Sequence, residues 1–471
     1  MLSADDIKVV WDQDASRRAA RARRRAYFQG RERIQELLEK RIDGRQKSRA
    51  ITNWTKYAAK LHAGFLASER PNYTLTDPMA GGDAGAEALR AWEEEYRDKS
   101  LALMDRRHVE QALLYGFSIE VQTWNPKGGT EYWIGDPLEW ALVEDAMGVL
   151  RGAVSRVELS AGTLFGGLIQ RKPVVLWHVY DETGRRVWRE APGGSGQGEM
   201  LMEEPLLRQE LVEGRLPLTV FRVGPELESF FGDDFLVQSD VYNITRSALG
   251  DDIRHNVDSL LFIKGMALDK MLQKDEHGRT VLEKLKGLGV LPLPSDGDAG
   301  YLNRAVDVEK FKYDLKVTRQ SLHLMACLPD LDDVIGGNDS TITNISGVAL
   351  KLMFHSMLQA AAEFARWIEL GLRDRIALWN ARRARLGLPV LEGFEAALQP
   401  HIPMNEMEVI QYLPNLSEVL SHRDVLRLLP MVGNVEQAHA DWLSERGETN
   451  PGGQPAATPG ADPTMTGAND G

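Results

Sequence analysis

Residues 328–385 constrain the fold of this chain more than any other stretch. They open on an acidic, glycine-broken segment, Pro329-Asp330-Leu331-Asp332-Asp333-Val334-Ile335-Gly336-Gly337-Asn338-Asp339-Ser340-Thr341. The chain then passes through Asn344-Ile345-Ser346-Gly347-Val348-Ala349-Leu350-Lys351 into a long helical pattern. Apolar residues recur at Leu350, Met353, Met357, Ala361, Phe364, Ile368, Leu372, Ile376 and Trp379, in steps of three or four, which is the period of an amphipathic helix. A helix of about 40 residues is expected, roughly 60 Å long at 1.5 Å per residue and about twice the span of an ordinary small-domain helix. Such a helix, fed by an acidic loop, points to a part of a large assembly rather than to an enzyme core.

At 471 residues the chain exceeds the size at which one core keeps growing, so two or more folding units are expected. Apolar residues make up 43%, enough for real cores. The first residues, Met1-Leu2-Ser3-Ala4-Asp5-Asp6, have no signal-peptide pattern. No run reaches the ~20 apolar residues of a membrane span, so no membrane partner is expected. The single cysteine, Cys327, excludes an internal disulfide and a multi-cysteine metal site, and fits a reducing compartment. Flanked by Ala326 and Leu328 on an apolar helix face, it reads as a buried structural thiol.

The net charge of −13 is uneven. Between Arg17 and Arg49 there are 13 Lys/Arg against 4 Asp/Glu, a local +9, so the rest of the chain carries −22. A protein that grips DNA over a broad surface is basic, because neutralising phosphates drives that binding. This chain therefore does not grip nucleic acid tightly. Its basic segment reads either as a solvated helix face or as a docking surface for an acidic partner or packaged DNA.

Periodicity predicts a basic helix over residues 15–42, a second over 53–67 and an amphipathic one over 86–115. Strand patterns follow at 118–124, 131–134, 140–143, 149–159, 174–180 and 186–189, the last two forming a hairpin around Glu182-Thr183-Gly184, and at 218–223. From residue 234 to about 260 the period is helical again, with Val237, Val241, Ile244, Ala248, Ile253 and Val257 on one side. A compact insert begins with the strand Leu260-Leu261-Phe262-Ile263, and helical spacing resumes at Lys312 with Leu315, Thr318, Leu322 and Met325. A strand pattern over 402–413 and helices over 416–440 come next, and the Gly/Pro-rich residues 451–471 cannot bury enough surface to order.

No catalytic motif stands out. There is no Walker-type Gly-x-x-x-x-Gly-Lys-Ser/Thr and no His-Glu-x-x-His, and the cluster Gly193-Gly194-Ser195-Gly196 reads as a linker. His401 with Glu406 and Glu408 reads as polarity on a strand surface, so no metal and no cofactor are expected. The adjacent acid pairs Asp233-Asp234, Asp251-Asp252 and Asp332-Asp333 do not make a catalytic dyad by adjacency alone.

Several segments occur in a telling order: Tyr27-Phe28-Gln29-Gly30 followed by Ile34; a helix opening at Asn53 and running to Leu66; the helix-to-sheet passage through Tyr115-Gly116-Phe117; the strand Leu216-Pro217-Leu218-Thr219-Val220-Phe221; and Gly232-Asp233-Asp234 leading to Asn243. Asn344-Ile345-Ser346-Gly347-Val348-Ala349-Leu350-Lys351 closes the series. The chain thereby resembles bacteriophage portal proteins of the SPP1 type, and Ser346, Gly347, Ala349 and Lys351 are similar to that family's Asn-x-Ser-Gly-x-Ala-x-Lys signature. Arg222-Val223 departs from the polar Asn that often follows the family's strand Phe, and the loop after Gly336 is longer.

The resemblance implies an α+β, mainly helical fold assembled as a ring, and a virion component rather than an enzyme. It implies a wing (1–232), two stem helices (233–260 and 311–328) around a small α/β clip (261–310), a tunnel loop (329–345), the wing's long helix (346–399), a helical crown (400–446) and a disordered tail (447–471). In such a family the ring is a dodecameric homo-oligomer at a capsid vertex, assembled in the host cytoplasm. The clip meets terminase and then head-tail adaptors, the wing meets major capsid and scaffold proteins, and double-stranded DNA passes through without sequence readout. Asp330, Asp332, Asp333 and Asp339 then become the acids nearest the DNA, and Asn338, Ser340 and Thr341 donors for transient phosphate contacts; helix capping is the other reading of Asp332, Asp333 and Ser340. Another head-tail connector or scaffold-like protein is the alternative, and a helical hydrolase with an unrecognised site a third.

Overall fold

The computed structural model describes residues 2–31, 49–75, 82–124, 129–160, 162, 164–165, 168–169, 173–182, 184–190, 201–203, 215–257, 260–264, 298–302, 308–330 and 352–400, and seven residues between 421 and 443. The chain divides into two units, one of residues 1–330 with 354–401 and one of residues 331–353 with 402–471. In the second unit, the described residues include His422, whose ring lies on Trp442 at 3.8 Å and near-parallel.

The first unit opens with a helix that the apolar spacing does not announce, α1 (Ala4–Gln13). Ser3 and Asp6 close a reciprocal capping box at its start, satisfying donors the first turn leaves free. Its buried Ile7 packs on Val154, Trp177 and Val179. Helix α2 (Ala15–Phe28) ends at Gln29-Gly30, where Gly30 has φ +77°. The helix expected over 15–42 therefore stops at Phe28, because a left-handed glycine terminates it; residues 32–48 lie outside the described residues. Helix α3 (Trp54–Leu66) starts as expected, with Asn53 accepting from the Lys56 N–H at 2.8 Å.

Strand β1 (Asn72–Leu75) precedes α4 (Gly82–Asp98) and α5 (Leu101–Tyr115). A single helix over 86–115 was the expectation. The chain instead breaks at Ser100, which has φ +53°, and the two halves face different neighbours. On α4, Trp92 and Tyr96 meet Tyr73, and Trp92 meets Trp379, whereas α5 turns Asp105 and His108 toward Arg375 and Glu120.

Strands β2 (Phe117–Trp124), β3 (Thr130–Ile134), β4 (Trp140–Glu144) and β5 (Leu150–Leu159) follow the alternation of the sequence closely, as do β8 (Val174–Asp181), β9 (Gly184–Glu190) and β11 (Leu218–Arg222), while the short β6 (Leu164–Phe165), β7 (Leu168–Ile169) and β10 (Leu201–Glu203) are additional. They form an antiparallel sheet β10-β9-β8-β5-β4 and a second one, β11-β2-β3. The hairpin at residues 181–184 closes with Asp181 opposite Gly184. Phe117, Ile119 and Val121 of β2 share one core with Trp140, Ala153, Tyr180 and Leu218, which welds the two sheets together.

Helix α6 (Asp233–Val257), the antiparallel pair β12 (Leu260–Lys264) with β13 (Asp298–Leu302), and helix α7 (Val308–Met325) come next. The long helix α8 (His355–Arg385) has 31 residues, about 46 Å at 1.5 Å per residue. Its described part starts after a turn at Phe354, so it is shorter than the 40 residues expected. Met357, Ala361, Phe364, Ile368, Leu372, Ile376 and Trp379 are buried along it, as their spacing predicts. Gly371 lets the helix lie directly on β11: a Cβ there would stand 2.6 Å from Phe221 Cδ1. Strand β14 (Phe394–Ala397) returns to pair antiparallel with β1, Asn72 opposite Ala397.

Candidate functional site

Beyond Phe235 and Leu236, which are buried, helix α6 turns a polar face inward and its apolar stripe outward. The stripe Val237, Val241, Ile244 and Ile253 is 41–60% exposed, while Ser239, Asn243 and Ser247 are fully buried. The cause is a set of hydrogen bonds from the N-terminal part of the chain. Tyr27 Oη donates to Asp240 (2.7 Å), the Thr52 N–H to Asn243 Oδ1 (2.8 Å), Asn243 Nδ2 to the Thr52 carbonyl (3.2 Å), and the Ala50 N–H to Ser247 Oγ (3.1 Å). Buried polar groups need partners, and Asp240, Asn243 and Ser247 find theirs on this side, so the polar face turns inward. Helix α7 likewise leaves Tyr313, Val317 and Leu324 exposed and buries Thr318 and Leu322.

The arginines of α2 act as internal staples. Arg23 and Arg24 reach Asp233 at the head of α6, and Arg24 Nε donates to the Phe231 carbonyl at 2.9 Å. Arg21 pairs with Asp14, and Arg25 with Asp136. Of the two readings of this basic helix, Arg21, Arg24 and Arg25 follow neither, since intramolecular carboxylates and a carbonyl hold them in buried or half-buried places, while Arg23 stays exposed beside Asp233.

The acidic segment begins at the end of α7. Cys327 has φ +50° in the turn after the helix and is half-buried, not set on a helix face as expected, because α7 ends at Met325. Burial, with Glu363 nearby, raises its thiol. Asp330 lies 3.6 Å from the Arg319 guanidinium. Helix α3 holds this turn: His62 Nε2 donates to the Ala326 carbonyl at 2.7 Å, and Trp54 sets its edge against both Tyr242 of α6 and His323 of α7. Phe65 stacks with Phe354 at the start of α8. Both sides of the segment 331–353 are thus tied to one helix. Asp332, Asp333, Asn338, Asp339, Ser340, Thr341, Ser346, Gly347, Ala349 and Lys351 lie outside the described residues.

A cluster that sequence reasoning missed lies behind this helix. Arg375 of α8 makes a two-pronged bond to Glu120 (2.9 and 2.7 Å) and a third to Asp105 (2.7 Å). His108 Nε2 is 3.1 Å from Glu120 and its Nδ1 2.9 Å from Ser118 Oγ. Burial would raise Glu120, but Arg375 and His108 outweigh it and hold the carboxyl down to about 2. Burial lowers His108 below its ordinary value. Ser118, His108 and Glu120 have the residue types of a hydrolytic triad, yet all three are completely buried, so the cluster ties α5, β2 and α8 together rather than meeting a substrate. The only sequence signal was the alternation Ser118, Glu120, Gln122, which reads as a solvent face.

Among the described residues no group of three or more His, Cys, Asp or Glu is placed to hold a metal, and no helix is long and apolar enough to cross a membrane. A family model described as phage portal protein, SPP1 Gp6-like, matches residues 7–452. Among solved structures the chain is similar to one from the virion of a native gene transfer agent particle, at 14% identity and a TM-score of 0.42, over 81% of this chain and 91% of that one. Comparison with the curated proteins gives no match.

Proposed function

Since the chain belongs to the SPP1 Gp6-like family of phage portal proteins, we propose that it forms a closed ring through which double-stranded DNA enters and leaves a capsid. A portal protein is a structural component of the virion and belongs to an oligomeric, capsid-associated assembly; this family is not an enzymatic one. In the finer reading, α6 and α7 are the two stem helices, β12 and β13 belong to the clip, and residues 329–345 form the tunnel loop. The rest of the first unit is the wing, with a crown over 400–446. The clip docks terminase and then head-tail adaptors, the wing meets capsid and scaffold proteins, and a separate ATPase drives the DNA.

One observation carries the ring reading: α6 buries Ser239, Asn243 and Ser247 while Val237, Val241, Ile244 and Ile253 face outward. An apolar helix stripe left exposed along a hairpin is a surface for another protein chain, and repeated copies of one chain close most simply into a cyclic assembly. The acidic loop fits a channel that repels phosphate over the 8–10 Å range in which charge is unscreened at physiological salt, roughly. Light scattering on the purified chain tests this. A mass many times the 52.7 kDa of one chain, with rings holding a central hole in negative stain, is expected; a mass that stays at one chain overturns it.

A further inference from the structure

We propose that Lys56, Tyr57 and Lys60, a ridge on α3, seat in an acidic groove of a second copy of this chain, making the contact between copies head to tail. The inference rests on the ring reading and names two surfaces that build it. The groove has a volume of about 640 Å³ and is lined by Glu226 and Glu228 after β11, Leu324 and Cys327 at the end of α7, and Glu363 and Phe364 of α8. The three carboxylates are exposed, Leu324 is 78% exposed, and among the described residues no Lys or Arg lines the groove. An apolar floor ringed by acids fits a partner with an apolar tip and flanking cations.

The chain carries that complement itself. Tyr57 is 48% exposed between Lys56 and Lys60, both exposed, beside a hollow of about 430 Å³ that Asn53 and Leu61 complete. At 3.6 residues per turn, His62 and Lys60 project from α3 about 160° apart. His62 packs its ring against Phe230 at 5.4 Å and Phe364 at 5.9 Å, and both of these rings line the groove. Ridge and groove therefore lie on opposite sides of one layer of the molecule. A knob on one side and its socket on the other make a heterologous interface, the kind that repeats around a ring instead of stopping at a dimer. Arg24 already lies close enough to feel the charge of Glu228, so Glu226 and Glu363 are the acids to test.

The full chain serves for the experiment, with mass read by light scattering. Lys56→Glu with Lys60→Glu, and separately Glu226→Lys with Glu363→Lys, should each lose the assembled species, and combining all four changes in one chain should restore it. An unaltered far-ultraviolet spectrum and melting temperature of each variant separate lost contact from lost fold. A second measurement uses the lone thiol: in Lys60→Cys, a short bismaleimide should join position 60 of one copy to Cys327 of a differently isotope-labelled copy. If unaltered chains assemble and the charge-reversed chains assemble equally, or if links form only between two copies of Cys327, this contact is wrong while the ring reading stands. If the unaltered chain itself stays a single copy, both fall.

Discussion

His62 of α3 donates its Nε2 hydrogen to the carbonyl of Ala326, 2.7 Å away and 264 residues later in the chain. That bond fixes the turn from which the acidic segment leaves α7, and the same ring packs on Phe230 and Phe364. Burial disfavours the His62 cation, so the neutral ring is the donor. Replacing His62 by Phe keeps the ring contacts and orphans the carbonyl, at a cost of about 1–2 kcal/mol; Ala removes both, at about 3 kcal/mol. Hydrogen exchange at the amides of Ala326, Cys327, Leu328 and Asp330 should quicken in both variants. Unchanged exchange there would show that α3 does not hold the turn.

Arg375 answers two buried carboxylates at once, Glu120 and Asp105, and is itself fully buried. Arg375→Met leaves two acids without their cation and should cost about 3–5 kcal/mol. Adding Glu120→Gln and Asp105→Asn to that variant should recover part of the loss, since the uncompensated charges then vanish. The melting temperatures of the single and triple variants decide it. A triple variant less stable than Arg375→Met alone would mean that packing, not charge, governs the cluster.

Acid should weaken the fold in two stages. Burial, aided by the charge of Arg185, lowers His178 to about 3 from 6.5. The unfolded chain then takes up that proton first, so stability falls as pH drops below 6.5; His62 and His108, also lowered by burial, act in the same direction. Glu120, held at about 2 against an ordinary 4.5, adds stability that is fully present above 4.5 and lost toward 2. Each proton taken up on unfolding costs about 1.4 kcal/mol per pH unit. Urea midpoints measured from pH 8 to 3 should decline below 6.5 and more steeply below 4.5, and His178→Phe should flatten the upper part. A midpoint that rises on acidification through this range is the contrary result.

Asp332 and Asp333 test the proposed channel. Replacing both by Lys places cations where the reading has phosphate pass, so DNA filling of capsids should drop at least several-fold while rings still form. Capsids that fill normally with the double variant would remove these residues from the mechanism.

The sequence by itself determined the local units. Alternation located every strand from β2 to β5, with β8, β9 and β11, because a strand with one face in the core writes that face at every second residue. The helical period set the buried stripe of α8 from Met357 to Trp379, and Asn53 announced the cap of α3. Tertiary structure decided what those patterns face. Periodicity says which residues share a side, not which side is inside: the apolar stripe of α6 points outward because Asn243 and Ser247 find their partners at Thr52 and Ala50, almost two hundred residues earlier. The polar face of β2 is buried because Arg375, 255 residues on from Glu120, supplies the countercharge. The pairing of β1 with β14 joins two four-residue segments that carry no strand signal alone. Each of these rests on a partner distant in sequence, and a local pattern holds no information about a partner it never touches until the chain has folded.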